Sequence, residues 1–331
     1  MLQVAVIDYK NHASRVAHSL SQIRTIKQVL IYHPDSKKIE NLSEGSHSKK
    51  RYTSNWSDLK DANAFFICSP SGTHVDYIKK IVSNSSETES LPYIYCEKPP
   101  GISNKEINWL KNSNKKLSKT LYFGFNYRFS SVHRQLKEIV SSGNLGIPIY
   151  ANFNISHGLA FKKGMERNWR FTESSVFSKI TGNLGIHYID MCLDCFGLIE
   201  KVSIKERNVA KNPQTDTAII NLSFDSGMVC NIFLSYATVF SQAIDVFFSD
   251  GLFKKNNSEI NIFHPRDTFN LDNEFCQPEP YQDNKNLESS YSEDGLFESI
   301  SYFISIVESR DSFPIEKYDQ SLSAAKILLD N

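Results

Sequence analysis

The first third of the chain alternates short apolar runs of strand length with stretches whose apolar residues recur at helical spacing, and this alternation constrains the fold most. Residues 2–7 read as a strand and residues 13–23 as a helix with Val16, Leu20 and Ile23 on one face. Residues 29–32, 64–67 (AFFI) and 93–96 (YIYC) read as further strands, with a helix at 74–82 between the last two. Runs this apolar fit strands buried on both faces, and connections of this length pair them in parallel. A helix at 104–115 and a strand at 120–125 complete the series, while the polar stretch 36–57 reads as a solvated helix and loop.

Past residue 127 the pattern changes to longer alternating segments at 148–156, 202–209, 217–224, 228–236 and 243–248, separated by turn residues such as Asp225-Ser226-Gly227. Such segments predict a largely antiparallel sheet with one open face, with helices inserted at 131–141 and 184–196. Residues 256–294 read as a long polar loop with short strands, and 297–309 and 317–329 as closing helices. A chain of 331 residues exceeds the size at which single cores stop growing. We therefore expect two α/β domains, 1–121 and 122–331, with the C-terminal helix packing back near the first.

The charges balance, 37 Lys and Arg against 37 Asp and Glu, which argues against a global nucleic-acid footprint. No window resembles a membrane span or a secretory signal, and six scattered cysteines fit a reducing compartment, so a cytoplasmic protein is expected. The pair Cys192 and Cys195 has C-x-x-C spacing but sits in an apolar helix with no second pair, and His133, His157 and His264 lack ligand spacing. No metal is assigned.

Four ordered landmarks carry chemistry: Cys68-Ser69-Pro70 before Thr73-His74, Glu97-Lys98-Pro99 directly after a strand, GFNYRF at 124–129 and GNLGIHYID at 182–190. In that order, with the SDG at 249–251, they resemble the Gfo/Idh/MocA oxidoreductase family. The resemblance implies an N-terminal Rossmann-like domain, a C-terminal α+β domain with a large open-faced sheet, and hydride transfer between NAD or NADP and a sugar, sugar alcohol or nucleotide-linked sugar. It implies Lys98 as the lysine on the substrate oxygen and His187 as the proton-shuttling histidine. Asn183 stands where many members have Asp. The variant spanning Asn183 to Asp190 resembles the subgroup acting on nucleotide-linked N-acetylated sugars in surface-polysaccharide pathways. Self-association into a homo-oligomer through the C-terminal sheet is also implied.

The residues are chemically suitable. Oxidising a secondary alcohol needs a proton acceptor and a cationic or donor group on the developing alkoxide, roles open to His187 and Lys98. Asn183, one helical turn earlier, orients the imidazole or a substrate hydroxyl but cannot take its proton. Asn126 and Arg128 are expected at the domain junction, Asn126 also as a substrate contact. Arg170 either meets an anionic substrate group or forms an exposed ion pair, Asp190 makes a structural hydrogen bond, and Tyr236 packs in the sheet.

The chain departs from the family where a dinucleotide should bind. The expected G-x-G-x-x-G turn is Asp8-Tyr9-Lys10-Asn11-His12-Ala13, so Asp8, Lys10 and Ala13 stand in the glycine places. A carboxylate ~4 Å from a phosphate at an effective dielectric of ~20 is repelled by up to ~4 kcal/mol, nearly a thousandfold in affinity. The acid expected after the second strand is replaced by His33, with Asp35 the nearest substitute beyond Pro34. Two readings stay open: a cofactor held in a modified way by Lys10, Asn11, His33, Ser69, Pro70, His74, Glu97 and Lys98, or a cofactor-free binding or regulatory subunit. A third is a glycosidase using NAD for transient oxidation.

Overall fold

Strand β1 (Leu2–Ile7) is fully buried from Val4 to Ile7, which is why it reads as an unbroken apolar run. In the computed structural model it forms the centre of a six-stranded parallel sheet in the order β3-β2-β1-β4-β5-β6. The other strands are β2 (Ile26–Tyr32), β3 (Lys50–Thr53), β4 (Ala64–Ile67), β5 (Tyr93–Glu97) and β6 (Leu121–Gly124). The structure describes residues 1–43, 49–84, 91–164, 175–211, 213–263, 269–276, 280 and 295–331. Two compact units emerge, Met1–Asn126 with Gly295–Lys326, and Tyr127–Asp294 with Ile327–Asn331.

In the first unit α1 (Asn11–Gln22) buries Ala13, Val16, Ala17 and Leu20, a single helical stripe. Helices α2 (Ser36–Ser43), α3 (His74–Ser83), α4 (Asn104–Lys111) and α5 (Lys115–Thr120) follow. Two expectations are corrected. The polar stretch 36–57 contains β3, whose pairing with β2 at the sheet edge outweighs its weak apolar pattern. The single helix at 104–115 divides because Asn114 leaves the helix and caps α5 through its side chain and the Lys116 amide.

The closing helices α8 (Leu296–Ser309) and α9 (Ile315–Asp330), numbered after α6 and α7 of the second unit described below, contribute to the first unit's core. Phe303 packs against Phe66 at 5.0 Å, Tyr95 at 5.5 Å and Phe313 at 5.4 Å between ring centroids. The buried Tyr95 hydroxyl pairs with Ser299 Oγ at 3.2 Å, and Tyr318 Oη donates to the Leu110 carbonyl. Aromatic rings thus fill the core while their polar ends keep partners.

In the second unit α6 (Ser131–Ser142) is capped by Ser130 and closed by Gly143 in the left-handed region, φ 68. A seven-stranded sheet follows in the order β13-β12-β11-β7-β10-β9-β8. Its strands are β7 (Pro148–Ser156), β8 (Ile199–Arg207), β9 (Thr217–Phe224), β10 (Val229–Ser235), β11 (Ser241–Phe248), β12 (Leu252–Asn256) and β13 (Glu259–Phe263). All pairings are antiparallel except the central β7–β10 pair, and Gly227 at φ 86 turns β9 into β10. Helix α7 (Ile186–Phe196) begins after a π-helical turn at Thr181–Gly185, so the regular helix expected from residue 184 is corrected. A Cβ on Gly182 would lie 2.4 Å from the Phe177 Cα, and one on Gly185 would lie 2.9 Å from Leu234. Those two glycines let the wide turn press against its neighbours.

Among the described residues no helix is long and apolar enough to cross a membrane, and no group of three potential ligands is placed to hold a metal ion. Cys192 and Cys195 are buried, as expected of small core residues, and Cys192 Sγ lies 3.7 Å from Cys230 Sγ. Phe303→Ala should lower stability by about 3–5 kcal/mol, read by urea unfolding, because it empties the centre of the first unit's aromatic core. A loss below about 1 kcal/mol would show that this contact is dispensable.

Candidate active site

The first unit's sheet reverses its strand order at β1 and β4, and the crevice beyond their carboxyl ends is where open α/β sheets bind ligands. Asp8 leaves β1 with φ 77, its amide donating to the Tyr32 carbonyl at 2.9 Å. Its Oδ1 accepts the Tyr9 amide at 2.6 Å and lies 3.7 Å from His33 Nε2. His33 Nδ1 accepts the Asp35 amide at 3.0 Å, and Asp35 Oδ1 accepts the Lys37 amide at the start of α2. Asp35 is thereby placed at a helix start, exposed and two residues beyond His33.

Lys10 is exposed and stands at the N-cap of α1 in extended conformation, with exposed Asn11 the first helical residue. No side chain caps this helix, and its first turn holds no acid. Its first amides and the Lys10 ammonium therefore suit an anion.

The Glu97-Lys98-Pro99 segment ends β5. Glu97 Oε1 pairs with His12 Nε2 at 2.7 Å. The nearby carboxylate raises the pKa of His12 against the opposing effect of burial. Burial alone would raise the Glu97 pKa, but His12, Lys98 and His74 outweigh it and hold the carboxyl below its ordinary value. The buried His74 ring bridges the turns, with Nδ1 2.9 Å from the Pro99 carbonyl and Nε2 3.0 Å from the Ser69 carbonyl. Burial lowers its pKa against the opposing effect of those two contacts. Thr73 Oγ1 donates to Ser69 Oγ at 2.7 Å and lies 2.8 Å from the Pro70 carbonyl. Lys98 is half-buried beside this cluster, and the Lys98-Pro99 peptide is cis. Lys10, Asn11, His33, Ser69, Pro70, His74, Glu97 and Lys98 thus all lie at the carboxyl ends of this sheet.

The second unit holds Asn183 and His187. The π-helical turn directs Asn183 Nδ2 to Tyr236 Oη at 2.8 Å, while Tyr236 stacks on His157 at 4.9 Å. Tyr236 is buried, as sheet packing requires, and its hydroxyl also takes the Asn183 amide. His187, on the first turn of α7, stacks on Tyr127 with centroids 4.2 Å apart and planes at 19°. Arg128, two residues past the boundary at Asn126, grips Asp190 through Nε at 2.8 Å and Nη2 at 2.6 Å, with side chains 6% and 2% exposed. One turn on, Asp194 receives His133 and Lys137. Helix α7 is therefore anchored at two successive turns by charge-assisted hydrogen bonds. Asn126 is buried at the end of the first unit, and Arg170 lies outside the described residues.

Sequence reasoning gave no site role to His12, Tyr127, His157 or Tyr236. No spacing announces His12, because its partner is 85 residues away. The aromatic partners were legible only as residues flanking the motifs.

The donor set fits a nicotinamide dinucleotide. Uncapped helix amides and Lys10 suit its diphosphate, with the His12 imidazole on the same turn, and the Asp8 carboxylate is turned onto the Tyr9 amide toward His33. Residues 2–125 match the family model described as an oxidoreductase family with an NAD-binding Rossmann fold, and residues 133–254 match the GFO/IDH/MocA C-terminal domain. The chain belongs to the Gfo/Idh/MocA oxidoreductase family.

Among its relatives is the uncharacterized oxidoreductase YrbE of Bacillus subtilis, 27% identical over 72% of this chain and 69% of its own length. Another is a myo-inositol 2-dehydrogenase of Thermotoga maritima, 25% identical over 68% of this chain and 66% of its own length. The chain thus spans about two thirds of the length of these curated relatives. An oxidoreductase from Agrobacterium radiobacter, solved with NAD+, L-tartaric acid and magnesium, shares the fold with a TM-score of 0.75 at 15% identity, covering 100% of this chain and 96% of its own.

The His12–Glu97 pair sets a pH window. The His12 contribution is complete below the ordinary histidine value of 6.5 and fades as pH rises through its raised value. The Glu97 contribution is complete above the ordinary value of 4.5 and fades as pH falls through its lowered value. His12→Asn should therefore lower the melting temperature most between those two values and progressively less in alkaline buffer. An equal loss at pH 5.5 and pH 9 would show that the pair does not titrate in this way.

Proposed function

We propose that this chain is an NAD(P)-dependent dehydrogenase or reductase whose substrate is a sugar, sugar alcohol or nucleotide-linked sugar. The observation that carries this reading is the anchored helix α7, which holds His187 against Tyr127 while Asn183 is tied to Tyr236. A fixed imidazole beside a fixed amide is suited to taking a proton from a carbohydrate hydroxyl. His187 accepts that proton in the oxidative direction, Asn183 positions a substrate hydroxyl, and Lys98 stabilises the oxygen as its negative charge grows. The dinucleotide, when bound, supplies the hydride acceptor. Residues 1–121 act as the cofactor domain and 122–331 as the substrate domain.

The sequence of Asn183 to Asp190 supports a nucleotide-linked N-acetylated sugar and a place in surface-polysaccharide synthesis. The likeness to the Thermotoga maritima myo-inositol 2-dehydrogenase supports a polyol or sugar more broadly. Asp8 at the first glycine place favours the second reading, a cofactor-free binding or regulatory subunit. Titration with NAD(H) and NADP(H), read by tryptophan fluorescence, separates the two: micromolar binding supports the oxidoreductase, and no binding up to millimolar concentration rejects it. Lys98→Ala and His187→Ala should each lower kcat/KM by ~10²–10⁴ with the fold intact. Full activity in either variant would remove that residue from the mechanism.

We also propose that the open face of the second unit's sheet joins copies of the chain. Cross-strand register places Val229, Tyr150 and Phe247 in one row, each exposed, and Asn221, Asn231, Asn152 and Asp245 in the next. Burial raises the pKa of Asp245, and its Oδ1 has no hydrogen-bond partner among the described residues. A self-complementary interface would cover the apolar row and satisfy the polar one. The double variant Tyr150→Lys with Phe247→Glu should reduce the native mass to that of a monomer; an unchanged mass would exclude this face.

A further inference from the structure

We propose that Asp8 binds the adenosine ribose hydroxyls of the dinucleotide and selects NAD(H) against NADP(H). The common fingerprint gives this task to an acid at the end of β2. The proposal rests on the oxidoreductase reading above. At the end of β2 stands His33, and Asp35, two residues beyond it, accepts the Lys37 amide at the start of α2. The Asp8 amide is bound to the carbonyl of Tyr32, the last residue of β2, so the Asp8 side chain begins one strand away from the usual place of the acid. Its carboxylate then points across to that place, 3.7 Å from His33 Nε2.

His33 Nδ1 accepts the Asp35 amide, so Nε2 is the ring nitrogen that presents a proton toward Asp8. Asp8 Oδ1 is occupied by the Tyr9 amide. Oδ2 accepts no hydrogen bond among the described residues, in a side chain that is 9% exposed. A carboxylate oxygen left without a donor at a strand end accepts a hydroxyl well and meets a 2′-phosphate as a like charge.

Asp8 also holds this position in the left-handed region at φ 77, where a glycine would be unstrained. A non-glycine residue kept in that conformation at the ligand end of a sheet points to a role for its side chain. Lys10, exposed at the head of α1, remains for the diphosphate.

The test is calorimetric titration of the full chain with NAD+, NADP+ and ADP-ribose, the last to isolate the adenosine side. The wild type should bind NAD+ at least ~tenfold more tightly than NADP+. Asp8→Asn and Asp8→Gly should weaken NAD+ and ADP-ribose by ~tenfold or more and bring the NAD+ and NADP+ constants within about threefold of each other. Circular dichroism of Asp8→Gly, which relieves the backbone, confirms that the loss is not unfolding. Unchanged or tighter NAD+ binding in the variants, a loss that spares ADP-ribose, or a wild type that prefers NADP+ would each overturn the assignment while leaving the oxidoreductase reading in place. A wild type that binds none of the three removes both.

Discussion

A parallel sheet must be covered on both faces, and most of the first unit follows from that requirement. Its strands are too apolar to face water: Phe66, Tyr95 and Phe123 are among the largest fully buried side chains. Segments near the other end of the chain contribute to covering them, with Phe303 and Phe313 stacked at 12° and Ser299 reaching the Tyr95 hydroxyl. The same covering leaves only the strand ends for polar chemistry. Asp8, Ser69, Glu97 and Lys98 all stand at carboxyl ends of strands, where side chains leave the apolar layer and meet loops.

Those polar groups are compensated in pairs. Glu97 would resist ionisation where it is buried, and His12 supplies the charge that reverses this. His74, its pKa lowered by burial, lies between the turn after β4 and the turn after β5, with one ring nitrogen facing a carbonyl of each. The second unit uses the same device on a helix. Asp190 would be a costly buried charge without Arg128, and removing one partner of such a pair typically costs about 3–5 kcal/mol. That cost is tolerated where the helix bears His187, since rotation of α7 would move the imidazole away from Tyr127.

The fold was legible because its strongest signals are local. Residues 64–67 and 148–156 read as strands from their own composition and form β4 and β7 at those bounds. β3 was invisible because Lys50–Thr53 has almost no apolar pattern and exists through pairing with β2. The π-helical turn was likewise hidden, since its cause is close approach of Gly182 to Phe177 and of Gly185 to Leu234. At the candidate site, the motifs singled out Glu97 and Asn183, but their partners His12 and Tyr236 came only from three dimensions. A hydrogen bond between residues 85 or 53 positions apart leaves no periodic trace.

Asp8 shows how far a local rule can mislead. At ~4 Å from a phosphate its carboxylate would cost up to ~4 kcal/mol, but Coulomb energy falls with distance, and at ~8 Å the same charge costs ~2 kcal/mol. The sequence rule assumes a side chain directed at the diphosphate. The observed carboxylate accepts the Tyr9 amide and faces His33, beside the end of β2. The Lys10 ammonium lies on the same turn as a counter-charge, next to His12, whose pKa the Glu97 carboxylate raises. The loss of the glycine therefore changes which part of a dinucleotide the first turn recognises: the helix start and its lysine still suit the diphosphate, while the strand end offers an acid in place of bare backbone.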